Sequence, residues 1–149
     1  MGNPNVRPSD QVTIVGKIDP DAASASTVTT GWIAAKDYAS FLAIIQAGDL
    51  GASATLDAKL QQASDSSGTG AKDISGKSIT QLTQAGTDSD KQALINLRPE
   101  ELDLDNNFTH FRLSMTVATA ASEIAAIVLG LHARYQPASH VSTVDEVIS

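Results

Sequence analysis

Residues 41–74 read FLAIIQAGDLGASATLDAKLQQASDSSGTGAKDI. From position 54 to 61 every second residue is apolar: Ala54, Leu56, Ala58 and Leu60 alternate with Thr55, Asp57, Lys59 and Gln61. A period of two sends one set of side chains to a dry face and the other to water, which is the pattern of a half-buried strand. The preceding Ala39–Gly48 carries Phe41 and Ile45 on one face and Leu42 and Ile44 on the other. Both of its faces ask for cover, so a central strand is expected there. The two strands meet at Gly48-Asp49-Leu50-Gly51. The second runs into a loop from Ser64 to Gly76, where Gly68, Gly70 and Gly76 permit positive φ.

The same theme extends outward in both directions. Gln11–Ile18 alternates as a first strand, and Asp19-Pro20-Asp21 reads as a turn. A short strand is expected around Val28–Ile33, another at Ser78–Thr83, and a third at Gln92–Arg98, ended by Pro99. Thr109–Thr119 is the cleanest, with Phe111, Leu113, Met115 and Val117 on one side. Ser122–Arg134 has a composition that would suit a helix, but its pattern also reads as a buried strand. Strand is preferred because the strand before it needs a neighbour and Thr119–Ser122 has hairpin length. About seven strands with turns every 8–12 residues predict a mainly β fold, an antiparallel β-sandwich or jelly roll. The expected organisation is an extended N-terminal arm at 1–10, a sandwich domain at 11–136 and a C-terminal tail at 137–149. The tail is expected to dock through Val141, Val144, Val147 and Ile148.

Composition narrows the function classes. The chain has 149 residues, one domain by size. Its hydrophobic share of 42% is rich in Ala, and its aromatics are Trp32, Tyr38, Phe41, Phe108, Phe111 and Tyr135, so the core must be built of small and branched aliphatics. A net charge of −7 argues against a nucleic-acid partner and against an anionic membrane surface. The absence of cysteine excludes disulfides and thiolate metal sites. Met1–Asp10 lacks the apolar run of a secretory leader, and the apolar segment Ile124–Leu131 is too short to span a bilayer. Synthesis in the cytoplasm is expected.

No stretch makes a complete catalytic pattern. Ala71–Ser78 departs from a phosphate-binding loop at Ala71, which stands where the first Gly is needed. The following Ser78–Thr83 alternates like a strand instead of opening a helix, so a Gly-rich hairpin loop is preferred. His110, His132 and His140 are too few and too scattered for zinc unless the strands bearing His110 and His132 pair. Ser, His and Asp are all present, but no GxSxG elbow is. Asp103, Asp105 and Asn107 offer hard oxygen ligands in the spacing that opens a calcium loop. The Gly that loop needs is missing, and a solvated acidic loop is the simpler reading. Asn107-Phe108-Thr109 is a glycosylation sequon with no leader to give it meaning. Trp32 and Tyr38 could stack on a sugar, although packing is the simpler role for both. An enzyme is not expected, and no cofactor is expected beyond that weak calcium candidate.

The blocks GWIAAKDYASFLAIIQAGDLGASATLDAKLQQASDSSGTGAKDISGKSITQLTQ, KQALINLRPEELD, FTHFRLSMTV and EIAAIVLGLHARYQPA, in this order, resemble a family of small tailed-bacteriophage head proteins. Gly48-Asp49-Leu50-Gly51, Ala58–Ala63, Phe111-Arg112-Leu113 and Ala133-Arg134-Tyr135 carry the likeness, which spans about residues 31–138. The resemblance implies a capsid decoration, or cement, protein on the outer surface of a virion. Such a protein bridges major capsid protein subunits, often as a homo-trimer, and has no catalytic residues. The contact residues expected on this reading are Asn3, Asn5, Val6 and Arg7 in the N-terminal arm and Trp32 and Tyr38 in the domain. In the tail they are Val141, Val144, Val147 and Ile148. The strand-loop pattern of Leu56–Ile74 is also similar to discoidin-like carbohydrate-binding β-sandwich modules, which makes glycan binding the alternative.

Overall fold

The computed structural model describes residues 5–148. Asn3, one of the expected contact residues, lies outside them. Two antiparallel sheets pack face to face. The first has four strands in the order β1 (Val12–Ala23), β10 (Ser122–Ala133), β4 (Tyr38–Ala47), β8 (Gln92–Leu97). The second is built on β5 (Thr55–Ala63) and β9 (His110–Ala118). In it β6 (Lys72–Ser78) and β7 (Leu82–Thr83) pair with the free side of β5, while β2 (Thr27–Thr29) and β3 (Ile33–Ala34) pair with β9. The expected β-sandwich is therefore the fold.

Alternation builds the core. Leu56, Ala58 and Leu60 of β5 and Phe111, Leu113, Met115 and Val117 of β9 face inward, against Phe41, Ala43, Ile45 and Ala47 of β4 and Ile124, Ala126 and Val128 of β10. Phe41 and Phe111 meet edge to face across the two sheets, with centroids 4.6 Å apart. Such a pair adds about 0.5–1.5 kcal/mol to the burial of its rings. Tyr38 continues the row, 5.5 Å from Phe41. Its ring occupies the space a side chain at 130 would need: a Cβ on Gly130 would stand 2.6 Å from it.

Several expectations need correction. Thr119–Ser122 is not a hairpin: β9 belongs to one sheet and β10 to the other, so this link crosses the sandwich. The same is true of Gly48–Ala54 between β4 and β5. The crossing is tight, since a Cβ on Gly51 would lie 2.3 Å from the Ala121 carbonyl oxygen. Asp19-Pro20-Asp21 does not end the first strand. It is a register shift between Ile18 and Asp21, after which β1 continues to Ala23. Proline is tolerated there because β1 is an edge strand with no neighbour on its far side to receive an N–H. The segment expected as one strand at Val28–Ile33 is two, β2 and β3. The end of the N-terminal arm is not extended: Pro8–Gln11 forms one helical turn, α1, with Pro8 at its start.

Replacing Phe111 by Ala should cost about 3–5 kcal/mol, because the ring is fully buried at the contact between sheets. Urea unfolding checks this. A loss below 1 kcal/mol would mean that the two sheets are not held by this ring.

Candidate functional site

The outer faces of the two sheets differ in chemistry. On the six-stranded sheet, β5 and β9 present a polar network. Lys59 pairs with Asp73 at 2.8 Å, Gln61 donates to the same carboxylate at 3.0 Å, and Arg112 Nε donates to Gln61 Oε1 at 3.0 Å. The Arg112 guanidinium lies over the Trp32 ring, 4.5 Å from its centroid. Beside this network Lys72 pairs with Asp103 and sits 4.3 Å from the centre of the Phe108 ring, and Lys77 pairs with Glu101 at 2.9 Å.

The four-stranded sheet is apolar on its outer side as well as its inner side. Cross-strand neighbours run Lys17–Ile127–Ile44–Leu94 in one row and Ile14–Leu129–Leu42–Asn96 in the next. A third row is Val12–Leu131–Ser40. Leu94 is 60% exposed and Ile127 42%. A groove of about 490 Å³ continues this face at one end, lined by Pro20, Asp21, Ala22, Gln46, Glu123 and Ala125 among others.

The sequence-predicted site residues are scattered across the molecule. Asn5 is exposed and Val6 half-buried, and the Val6 carbonyl accepts from Gln11 Nε2 at 3.0 Å. Arg7 pairs with Asp10 across α1 at 3.4 Å. Tyr38 is a core residue, leaving little of its ring for a partner. Trp32 is half-buried, with the Arg112 guanidinium over its ring and its indole edge against Gly68, where a Cβ would stand 2.5 Å from Nε1. The two rings therefore form no shared platform for a sugar.

The tail is tethered near its start, where Ala138 packs against the core. Ile14 N–H donates to His140 Nδ1 at 3.1 Å, and Val141 N–H donates back to the Ile14 carbonyl at 3.0 Å. These bonds cap the open edge of β1. Val144 N–H closes a turn onto the Val141 carbonyl. Beyond it Val147 and Ile148 are exposed, Ile148 at 85%.

The metal candidates do not converge. The Asp103 carboxylate is engaged by Lys72 and by Asn106 Nδ2, 2.9 Å from both oxygens. Asp105 and Asn107 are exposed, and Asn107 adopts the left-handed conformation that closes the short 3-10 turn Leu104–Asn106. Among the described residues no three His, Asp or Glu side chains gather as a metal site. His110 contacts the Thr109 hydroxyl on β9, His132 is exposed on β10 and His140 holds the tail. The two histidine-bearing strands do not pair, so they share no zinc site. The phosphate-loop-like stretch is strand β6 itself, and its Lys77 is the partner of Glu101. No helix among the described residues is long and apolar enough to cross a membrane.

The outer apolar face is the feature that sequence reasoning missed. Its signal was present in Leu42 and Ile44 and in Ile127, Leu129 and Leu131, but a two-faced apolar strand reads as fully buried.

The geometry defines a two-layer antiparallel β-sandwich without a clustered reactive centre among the described residues. No protein-family model matches the sequence, and no curated protein matches it. Among solved structures the chain is similar to one from the cryo-EM structure of Broad Bean Stain Virus, with 10% identity, a TM-score of 0.47, and coverage of 100% of this chain and 98% of that one. It is also similar to a chain of the Cowpea mosaic virus top component, with 12% identity, a TM-score of 0.44, and coverage of 89% and 96%. A xylan-binding module, CBM15, shows 10% identity and a TM-score of 0.35 over 85% of this chain and 94% of that one. Likenesses this distant carry no function across.

Two predictions follow from the polar side and the tether. The carboxyls of Asp73, held first by Lys59 and then Gln61, and of Asp103, held by Lys72 and then Asn106, lie below their ordinary value of 3.8. Glu101, held by Lys77 and then the Arg98 N–H, lies below 4.5. Depressed carboxylates stabilise the fold above their unfolded values, and that support is lost as pH falls through the folded ones. The urea midpoint should therefore hold level down to about pH 5 and drop below about pH 4. A midpoint unchanged at pH 3 would contradict these pairings. Separately, His140→Ala should raise amide exchange at Ile14 and Val141 by roughly fivefold, the equivalent of one ordinary hydrogen bond. Unchanged exchange would mean that the tail is held elsewhere.

Proposed function

We propose that this chain is a structural virion protein that decorates the outer surface of a tailed-phage head and stabilises it by bridging major capsid protein subunits. The observation that carries this reading is the tail. It is pinned to the sandwich at His140 and Val141, then projects the exposed apolar side chains of Val147 and Ile148. A rigid block bearing a short apolar extension is suited to gripping a neighbouring protein surface. Weak grips repeated around a shell become firm through multivalency. The resemblance of residues 31–138 to small head proteins points the same way. An acidic block also suits the outside of a container of DNA, since it repels the cargo. Assembly as a trimer at threefold positions would let each copy reach two capsid subunits. The arm residues Asn5, Val6 and Arg7 would add contacts at the opposite end of the chain.

The experiment uses heads assembled from the major capsid protein of the phage that encodes this chain, purified without it. The full chain should sediment with them and raise the temperature at which they burst. Removing residues 143–149 should leave the sandwich folded and weaken binding by at least about tenfold, given the apolar area of Val144, Val147 and Ile148. Failure of the full chain to bind bare heads would overturn the reading. Equal binding by the truncated chain would remove the tail from it.

A further inference from the structure

We infer that the outer face of the four-stranded sheet is buried against a second copy of this chain. The decoration reading includes a trimer but assigns it no surface; the surface assigned here rests on the sheet's own face and is tested without a capsid.

Three observations carry the inference. The first is extent. Four strands about 4.8 Å apart, over the seven residues from Ala125 to Leu131, span on the order of 450 Å² of sheet face, apolar at its centre, before side-chain relief is counted. That matches the largest apolar patch of an ordinary monomer, about 300–600 Å², and such patches are often functional. Counted over the twelve, twelve, ten and six residues of β1, β10, β4 and β8, the whole face is on the order of 650 Å², within the spread around the roughly 800 Å² per partner of a standard interface.

The second is charge. Two copies carrying −7 each repel, and that cost is least where the surfaces that meet hold no carboxylates. The three rows from Val12 to Asn96 hold none: Lys17, paired with Asp19, and Glu123 stand at the rim. The outer face of the other sheet carries Asp57, Lys59, Asp73 and Arg112 and is already satisfied by its own network.

The third is the kind of polar group present. Apart from Lys17 and Glu123 at the rim, the polar members of the face and its margin are Ser40, Gln46, Gln92 and Asn96. Each both donates and accepts, so each can hydrogen-bond a copy of itself. Asn96 makes no side-chain hydrogen bond within the described residues and sits beside Leu94 on the edge strand β8. A face charged only at its rim, whose inner polar groups are self-complementary, fits its own copy better than a highly charged partner. The β1 edge of the sheet is capped by the tail at Ile14, which leaves the face and the β8 side for association.

The test is sedimentation velocity on the purified full chain from roughly 1 to 200 µM, with no shell present. The expected result is a species heavier than the 15.5 kDa chain, growing with concentration. Leu94→Asp and Asn96→Lys change exposed edge-strand side chains and should weaken association at least tenfold, whereas Gln61→Asp on the other sheet should not. Hydrogen exchange on the unmodified chain gives a second readout: residues 40–46, 92–97 and 125–131 should gain protection as concentration rises. A 15.5 kDa species at every concentration, or association indifferent to both edge variants with no added protection in those strands, would overturn the inference. Because no head is present, this result is independent of whether the chain binds one.

Discussion

The contact between Phe41 and Phe111 is the constraint on which the rest of the molecule depends. Most of the core is Ala, Leu, Ile and Val, and Ala43, Ala47, Ala58 and Ala126 fill little space. Only three aromatic rings enter it, and Phe41, Phe111 and Tyr38 form one connected row. A core of small residues lets two sheets slide or approach in several ways. A wedge of rings at one end admits fewer, because a displaced ring loses close packing on every side. Gly130 keeps the space for Tyr38, so the wedge is specified from β10 as well as from β4 and β9.

Fixing Phe41 inward decides what faces outward. In a strand, neighbours of an inward residue point to the other side. With Phe41, Ala43 and Ile45 committed to the core, Leu42 and Ile44 must stand on the outer surface. The same parity on β10 puts Ile127, Leu129 and Leu131 beside them. The molecule thus has one finished side, where carboxylates, amides and cations answer one another, and one side where apolar groups remain in water. On the finished side Asp73, Asp103 and Glu101 are engaged with lysines, and the histidines lie apart from one another.

Much of this was legible in the residues. Period-two patterning located β4, β5, β8, β9 and β10 to within a few residues and gave the inward sets of β5, β8 and β9, because burial parity is a local property of a strand; for β4 and β10 it left both faces buried. Which strands pair is not local. Parity says that Phe111 and Val128 are buried, but not that β9 and β10 lie in opposite sheets, and a four-residue link fits a hairpin or a crossing equally well. Pro20 misled for a related reason: proline breaks a ladder only where an N–H is required, and that depends on β1 being an edge. Trp32 and Tyr38 look alike as aromatics near a turn, yet one is held by Arg112 from a distant strand and the other by Gly130. Asp103 resembles a metal ligand until Lys72, thirty-one residues away, is seen to neutralise it. The two-faced apolar pattern of β4 was plain in the sequence, and only the absence of a covering layer changes its meaning.

The most direct measurement is the attenuation of methyl signals by a soluble paramagnetic agent in dilute solution. Adjacent residues on one strand should behave oppositely: Leu94 and Ile127 strongly attenuated, Ile95 and Val128 barely touched. Equal attenuation within each pair would contradict the sorting of alternate side chains to opposite faces, and with it both the sandwich and its uncovered side.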